Sequence, residues 1–320
     1  MTSASTSRLQ NLPVSWFAMI MGLAGFTLAW RGAETTLDLG FALSPALLLL
    51  AATLFATLLA LFAAKAIKYP QSLLAELRHP VKLAFVPTFS IALILLSVVF
   101  LTSSPTVSFW LWTAGTGLHL LLTLYVLSSW IHHERYDIAH LNPAWFIPVV
   151  GNVLVPIAGV SHASPEICWF FFSVGLFFWP VLTAIIFYRL IFHGSLPERF
   201  MPTLFIFIAP PAAAFISYHH LIGGIDAFAR ILYGVALFMT LLLLTQAGRF
   251  VRLKFYLSWW AYSFPLAAVT IATFIMAKAT GSTFYAWLGG GLLALLSAIV
   301  AVLLWQTGMA VWRRESCLEG

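Results

Sequence analysis

A chain of 320 residues with 62 % in the hydrophobic set and only 8 % charged cannot cover a water-facing surface, since soluble domains carry roughly a quarter charged residues. Its formal net charge of +6 sits in short loops between apolar blocks, which reports membrane topology rather than a nucleic-acid partner. Cys168 and Cys317 are far apart and match no metal-ligand spacing. No nucleophile motif or Gly-rich nucleotide loop points to an enzyme, and no cofactor or metal is expected.

The first apolar block runs over 12–30. Arg8 followed by an apolar stretch has the outline of a signal peptide, but the run outlasts an h-region and Trp30-Arg31 is a poor cleavage site, so it reads as a span. Further blocks follow at 43–64, 83–102, 107–130, 144–160, 167–192, 202–220, 227–247, 257–277 and 284–311. A bilayer-crossing helix needs about 20 apolar residues, and the block at 144–160 is short and interrupted by prolines. The predicted organisation is one ten-helix transmembrane domain over 12–312 between short tails, 1–11 and 313–320.

Ten spans place both termini on one side. That side then holds Arg8, Lys65, Lys68, Arg78, Lys82, Arg135, Arg189, Arg199, Arg249, Arg252, Lys254, Arg313 and Arg314, against Arg31, Arg230 and Lys278 on the other. The bias predicts cytoplasmic termini. Trp30, Trp130, Trp145 and Trp312 fall near span ends, where an interfacial belt would place them.

The odd spans share an irregularity. Pro13 opens the first; Pro87 lies in the third, Pro148 and Pro156 in the fifth, Pro210 and Pro211 in the seventh, and Pro265 in the ninth. Among the even spans only the sixth has an interior proline, Pro180. Proline removes a backbone donor and kinks a helix, and in lipid the freed carbonyl needs another partner. Irregularity at every second span predicts five helical hairpins, with the kinked helices gathered around a shared axis and the straighter ones outside. Small-residue stretches at 115–117 and 289–291 permit close helix approach, within or between subunits.

No Asp or Glu lies well inside a span; Glu34, Asp38, Glu134, Glu166 and Asp226 fall in loops or at helix ends. A cation would find no carboxylate ring along such a conduit, whereas an anion would meet little repulsion. His119 is the histidine near a span centre and reads as a packed, hydrogen-bonded residue. His132-His133 and His219-His220 lie at loop or helix-end positions, so haem ligation is not expected. Arg230 in IDAFARILYG either attracts anions or pairs with Asp226 at i, i+4.

PVSWFAMIMGLAGFTLAW at 13–30, ELRHPVKLAFVPTFSIAL at 76–93, NPAWFIPVVGNVLVPIAG at 142–159, LPERFMPTLFIFIAPPAAAFISY at 196–218 and WWAYSFPLAAVTIAT at 259–273 span nearly the whole chain in order. Together they resemble the tellurite-resistance/dicarboxylate transporter family, which includes the slow-type anion channels of plant guard cells and their bacterial homologues. The resemblance implies an all-α integral membrane protein: ten helices form five hairpins around a quasi-fivefold pore, and subunits associate as homotrimers in a bacterial inner membrane. It further implies a gated passive channel for small monovalent anions such as chloride or nitrate. The family's pore-occluding phenylalanine falls on Phe264 in SFP, and Pro87, Pro148, Pro210 and Pro265 would bend the pore helices. The alternative is a secondary transporter exporting C4-dicarboxylates or oxyanions such as tellurite. The plant channels carry long phosphorylated tails; with about eleven residues before the first span and nine after the last, kinase control of that kind is not expected.

Overall fold

The computed structural model describes residues 8–132 and 136–313. His133, Glu134, Arg135, Arg314 and Cys317 lie outside them, as do parts of both expected tails. Every regular element among the described residues is helical. Nine helices among the described residues are long and apolar enough to cross a bilayer: α1 (Val14–Thr36), α2 (Ser44–Lys68), α3 (Lys82–Phe100), α4 (Pro105–His132), α6 (Pro165–Phe192), α7 (Glu198–Ile222), α8 (Ala227–Leu244), α9 (Leu257–Thr280) and α10 (Thr283–Trp312), with a shorter apolar helix, α5 (Pro143–Gly159), between α4 and α6.

The short α5 reaches further than its length suggests. It alternates 3-10 turns (Pro143–Trp145, Gly151–Leu154) with α turns (Phe146–Val150, Val155–Gly159). Its seven 3-10 residues at about 2.0 Å rise and ten α residues at about 1.5 Å give roughly 29 Å, close to the hydrocarbon thickness of a bilayer. The other odd helices share the device: each begins with a 3-10 stretch, Val14–Trp16, Lys82–Phe85, Glu198–Ile208 and Leu257–Tyr262. The prolines read as kinks sit near these junctions. Pro87 caps the α segment of α3, Pro210 and Pro211 lie in the first turn of that of α7, and Pro265 in the first turn of that of α9. A first turn tolerates proline because its N–H would have no α-helical partner there.

Burial separates two sets of helices. In the most apolar stretches of α1 and α3, 72 % of residues are buried, and in those of α7 and α9, 83 %; in α2, α4, α6, α8 and α10 the share is 17–33 %. All of α5 except Trp145 is buried. Each odd helix contacts the next odd helix, and α9 closes the ring on α1. Each even helix lies between its preceding odd helix and the next, α10 packing on both α9 and α1. Their outer faces carry exposed apolar groups such as Leu121, Phe177, Phe238 and Trp305, as a surface against lipid requires.

The ring closes tightly because glycines replace side chains at its seams. A Cβ at Gly22 would sit 2.1 Å from Ser263 Oγ, and one at Gly25 2.9 Å from the Ala267 Cβ, so α1 and α9 approach through this GLAG stretch. Gly115 packs α4 onto Leu93 and Ile94 of α3, and Gly289 packs α10 onto the Phe274 ring. Both small-residue stretches therefore serve contacts inside the chain.

The start of α1 is held by a buried ion pair. Lys65, fully buried at the end of α2, pairs with Glu76 of the short helix Pro70–Arg78. Lys65 Nζ also donates to the Leu12 carbonyl (2.7 Å), and Glu76 Oε2 accepts the Val14 amide (3.1 Å). Losing one partner strands the other charge, so Glu76→Leu should destabilise the protein by about 3–5 kcal/mol. Unfolding in detergent should show the loss for Glu76→Leu and for Lys65→Met, and a smaller loss for the double variant; equal losses for all three would exclude the pair as their origin.

Candidate permeation pathway

The five irregular helices surround an axial cavity of about 80 Å³. Every residue lining it belongs to α1, α3, α5, α7 or α9, and none to an even helix. The wall is apolar and carries no charged side chain. Two of its three hydroxyls are turned onto the backbone: Thr88 Oγ1 donates to Phe85 O (2.6 Å) and Ser258 Oγ to Arg199 O (2.6 Å), while Ser15 is the third. An apolar constriction of this kind opposes the passage of an ion.

Phe264 lies on this wall, in the first turn of the α segment Ser263–Thr280, and is 9 % exposed. Its Cδ2 would be 3.3 Å from a Cβ at Gly25, so the ring rests on the bare backbone of α1. Pro210 and Pro265 also line the cavity; Pro87 and Pro148 do not, although their neighbours Thr88 and Ile147 do. Arg230 lines no part of it: the side chain is exposed on α8. Nor does Arg230 hold Asp226, whose carboxylate caps α8 through the Ala229 amide (2.9 Å) and accepts the Tyr218 hydroxyl (2.7 Å). Those two bonds hold the Asp226 carboxyl below its ordinary range.

At one end the cavity continues into a wider vestibule of about 470 Å³, sharing Ser15, Phe85, Leu257 and Ser258 with it. His79, Lys82 and Arg199 line this vestibule. Glu76 also lines it, but its carboxylate is engaged by Lys65 and the Val14 amide. The free charge facing the mouth is therefore positive. Sequence reading had placed Lys82 and Arg199 only in the loop-charge balance; the signal for the site was their position at the start of two irregular helices.

The irregular backbone of α5 is held by side chains from its neighbours and by its own Asn152. Trp112 Nε1 donates to Val155 O (2.9 Å), Asn152 Nδ2 to Val149 O (2.7 Å), and Thr123 Oγ1 lies 2.7 Å from Pro148 O. Ser217 of α7 donates to Val153 O, a carbonyl left without a following amide partner by Pro156. His119 belongs to this framework. It is fully buried, its Nδ1 lies 2.9 Å from Ser90 Oγ, and its Nε2 faces Gly151, where a Cβ would come within 2.8 Å.

Burial and the positive fields of Lys82, His140 and Arg199 lower the His79 pKa from its ordinary value of 6.5. Its Nδ1 accepts from the amides of Val81 (3.1 Å) and Lys82 (3.3 Å), which also favours the neutral ring. The folded state thus takes up this proton less readily than the unfolded chain, so the stability due to His79 is full above pH 6.5 and lost as pH falls through the folded pKa. An NMR titration should place His79 below 6.5, and Lys82→Gln with Arg199→Gln should move it upward; a midpoint unchanged by both would remove the electrostatic part of this account.

Comparison with known proteins supports a transport role. The family model described as voltage-dependent anion channel matches residues 11–308. An uncharacterised transporter of Methanocaldococcus jannaschii is 28 % identical, over 97 % of this chain and 97 % of its own length. The S-type anion channel SLAH3 of Arabidopsis thaliana is 27 % identical over 93 % of this chain, which spans 48 % of that longer protein. A tellurite resistance protein TehA homolog of Haemophilus influenzae is 24 % identical over 81 % of this chain and 79 % of its own.

Proposed function

The chain belongs to the voltage-dependent anion channel family, and from that premise we propose that it is a gated passive channel for small monovalent anions such as chloride or nitrate. The observation that carries the proposal is the axial cavity: it is lined by the five irregular helices alone, is free of acidic side chains, and opens into a basic vestibule. Lys82 and Arg199 raise the local anion concentration at the mouth, and the absence of carboxylates beyond it leaves nothing to repel an anion or retain a cation. The vestibule would face the cytoplasm, with both termini on that side of the plasma membrane, as the loop charges predict.

Phe264 is the proposed plug. Its ring closes an already apolar path, and its seat on Gly25 leaves room for a rotation or small helix shift without repacking a branched side chain. The channel would function as a homotrimer, each chain carrying its own path. The tellurite-resistance name of the Haemophilus relative motivates a second reading, export of an oxyanion or dicarboxylate by a carrier. A carrier holds its substrate at specific polar groups near the midplane, and the cavity wall offers none with a charge.

Planar-bilayer recordings should find the native chain nearly silent and Phe264→Ala carrying anion-selective current at least about tenfold larger, because removing the ring opens and wets the constriction. Silent bilayers for both, with saturable exchange in loaded vesicles, would establish the carrier instead. In the open variant, Lys82→Gln with Arg199→Gln should reduce current severalfold at 0.01 M salt and much less at 1 M, where the Debye length shrinks from about 30 Å to about 3 Å. Equal reductions at both salts would exclude electrostatic attraction as the role of these residues.

A further inference from the structure

A separate cavity of about 270 Å³ lies at the vestibule end of the bundle but on its outer side, between α6 and α8 and in front of the 3-10 half of α7. Leu190 of α6, Leu204 of α7 and Met239 and Leu242 of α8 form its apolar wall, and Gln246 and Arg249 stand at its mouth. Leu242 is 36 % exposed, so the cleft faces the surroundings of the bundle rather than the axis.

Charge at the mouth is unbalanced. Among the described residues the ion pair is Lys65–Glu76, and the exposed Arg249 has no carboxylate partner. Arg252 and Lys254 follow in the same connection and are also exposed. On the other flank Arg189 is 4 % exposed; its Nη1 donates to the Gly194 carbonyl (3.2 Å), next to Ser195 on the cavity wall, while its Nε has no partner. A buried guanidinium with neither a counter-charge nor a full set of acceptors is costly, and an anion nearby would offset it.

We propose that this cleft binds an anionic glycerophospholipid of the leaflet at the vestibule end, with its phosphate at Arg249 and an acyl chain along Leu204 and Met239. The combination selects the ligand. Basic clefts between membrane helices bind anionic headgroups, whereas a zwitterionic lipid carries no net charge for Arg249 to attract. A free phosphate would have no use for the apolar wall. Such a lipid would hold α6 and α8 against α7, the helix that carries Arg199 into the vestibule.

Native mass spectrometry of the purified chain, with phosphatidylglycerol or phosphatidylcholine added in detergent, tests the proposal. Phosphatidylglycerol should be retained in preference, and Arg249→Gln should lower its retention about fivefold, the effect of roughly 1 kcal/mol from one basic residue at a membrane surface. Leu204→Trp, which fills the cleft, should lower retention of the acyl chain while leaving the mass of the assembly unchanged. Equal retention of the two lipids, or indifference to both variants, would overturn the site. Displacement by inorganic phosphate alone would make it an ion site, and a changed assembly mass for Leu204→Trp would assign the cleft to a second copy of the chain; either result also overturns the lipid.

Discussion

A backbone carbonyl within a bilayer has no water to bond, and much of this structure follows from that constraint. The odd helices are not regular throughout, because each contains a 3-10 stretch, yet each is largely buried. They are tolerated because they are inside. The even helices take the lipid-facing positions, and side chains from the surrounding helices satisfy the exposed carbonyls. In α5 the compensation is nearly complete: Trp112 and Thr123 from α4, Ser217 from α7 and its own Asn152 serve four of its carbonyls. The alternation of inner and outer helices is thus a consequence of where irregular backbone can be placed.

Placing irregular helices at the centre also yields a path. Five such helices touch in a closed ring, and the cavity at their axis is lined by them alone. The loosened backbone spends its hydrogen-bonding capacity on neighbouring side chains, so the wall facing the axis is apolar. An apolar constriction opposes ions without any moving part, and one aromatic ring, Phe264, stands on its wall. The charges nearest to it are the cations of the vestibule, and no carboxylate lines the cavity beyond.

Two contacts hold the first helix in this arrangement. Gly22 and Gly25 bring α1 against Ser263 and Ala267, closing the ring between its first and last members. The buried Lys65–Glu76 pair fixes the start of the same helix through the Leu12 carbonyl and the Val14 amide. Helix α1 is therefore located at both levels, by close backbone packing near the middle and by charge-assisted bonds at the vestibule. The ring of Phe264 rests on the glycine face that this packing exposes, so the proposed plug and the closure of the bundle share one surface.

The membrane class, the helix count with its short fifth member, and the division into irregular and straight helices were legible in the sequence, because hydropathy blocks and proline spacing are local properties. The motif also singled out Phe264, which lies on the cavity wall. Other features belonged to the tertiary structure. Arg230 looked suited to attract anions, yet its helix lies in the outer ring and turns it outward. Lys82 and Arg199 looked like ordinary loop charges until folding brought them, with His79, to one vestibule. Lys65, the cation of the buried pair with Glu76, likewise read as topology charge, since nothing local marks a lysine as buried. Sequence patterns record what each segment must do with its own backbone and its own apolar surface. Which side chains meet across the ring depends on the rotation and depth of every helix, and only packing decides those.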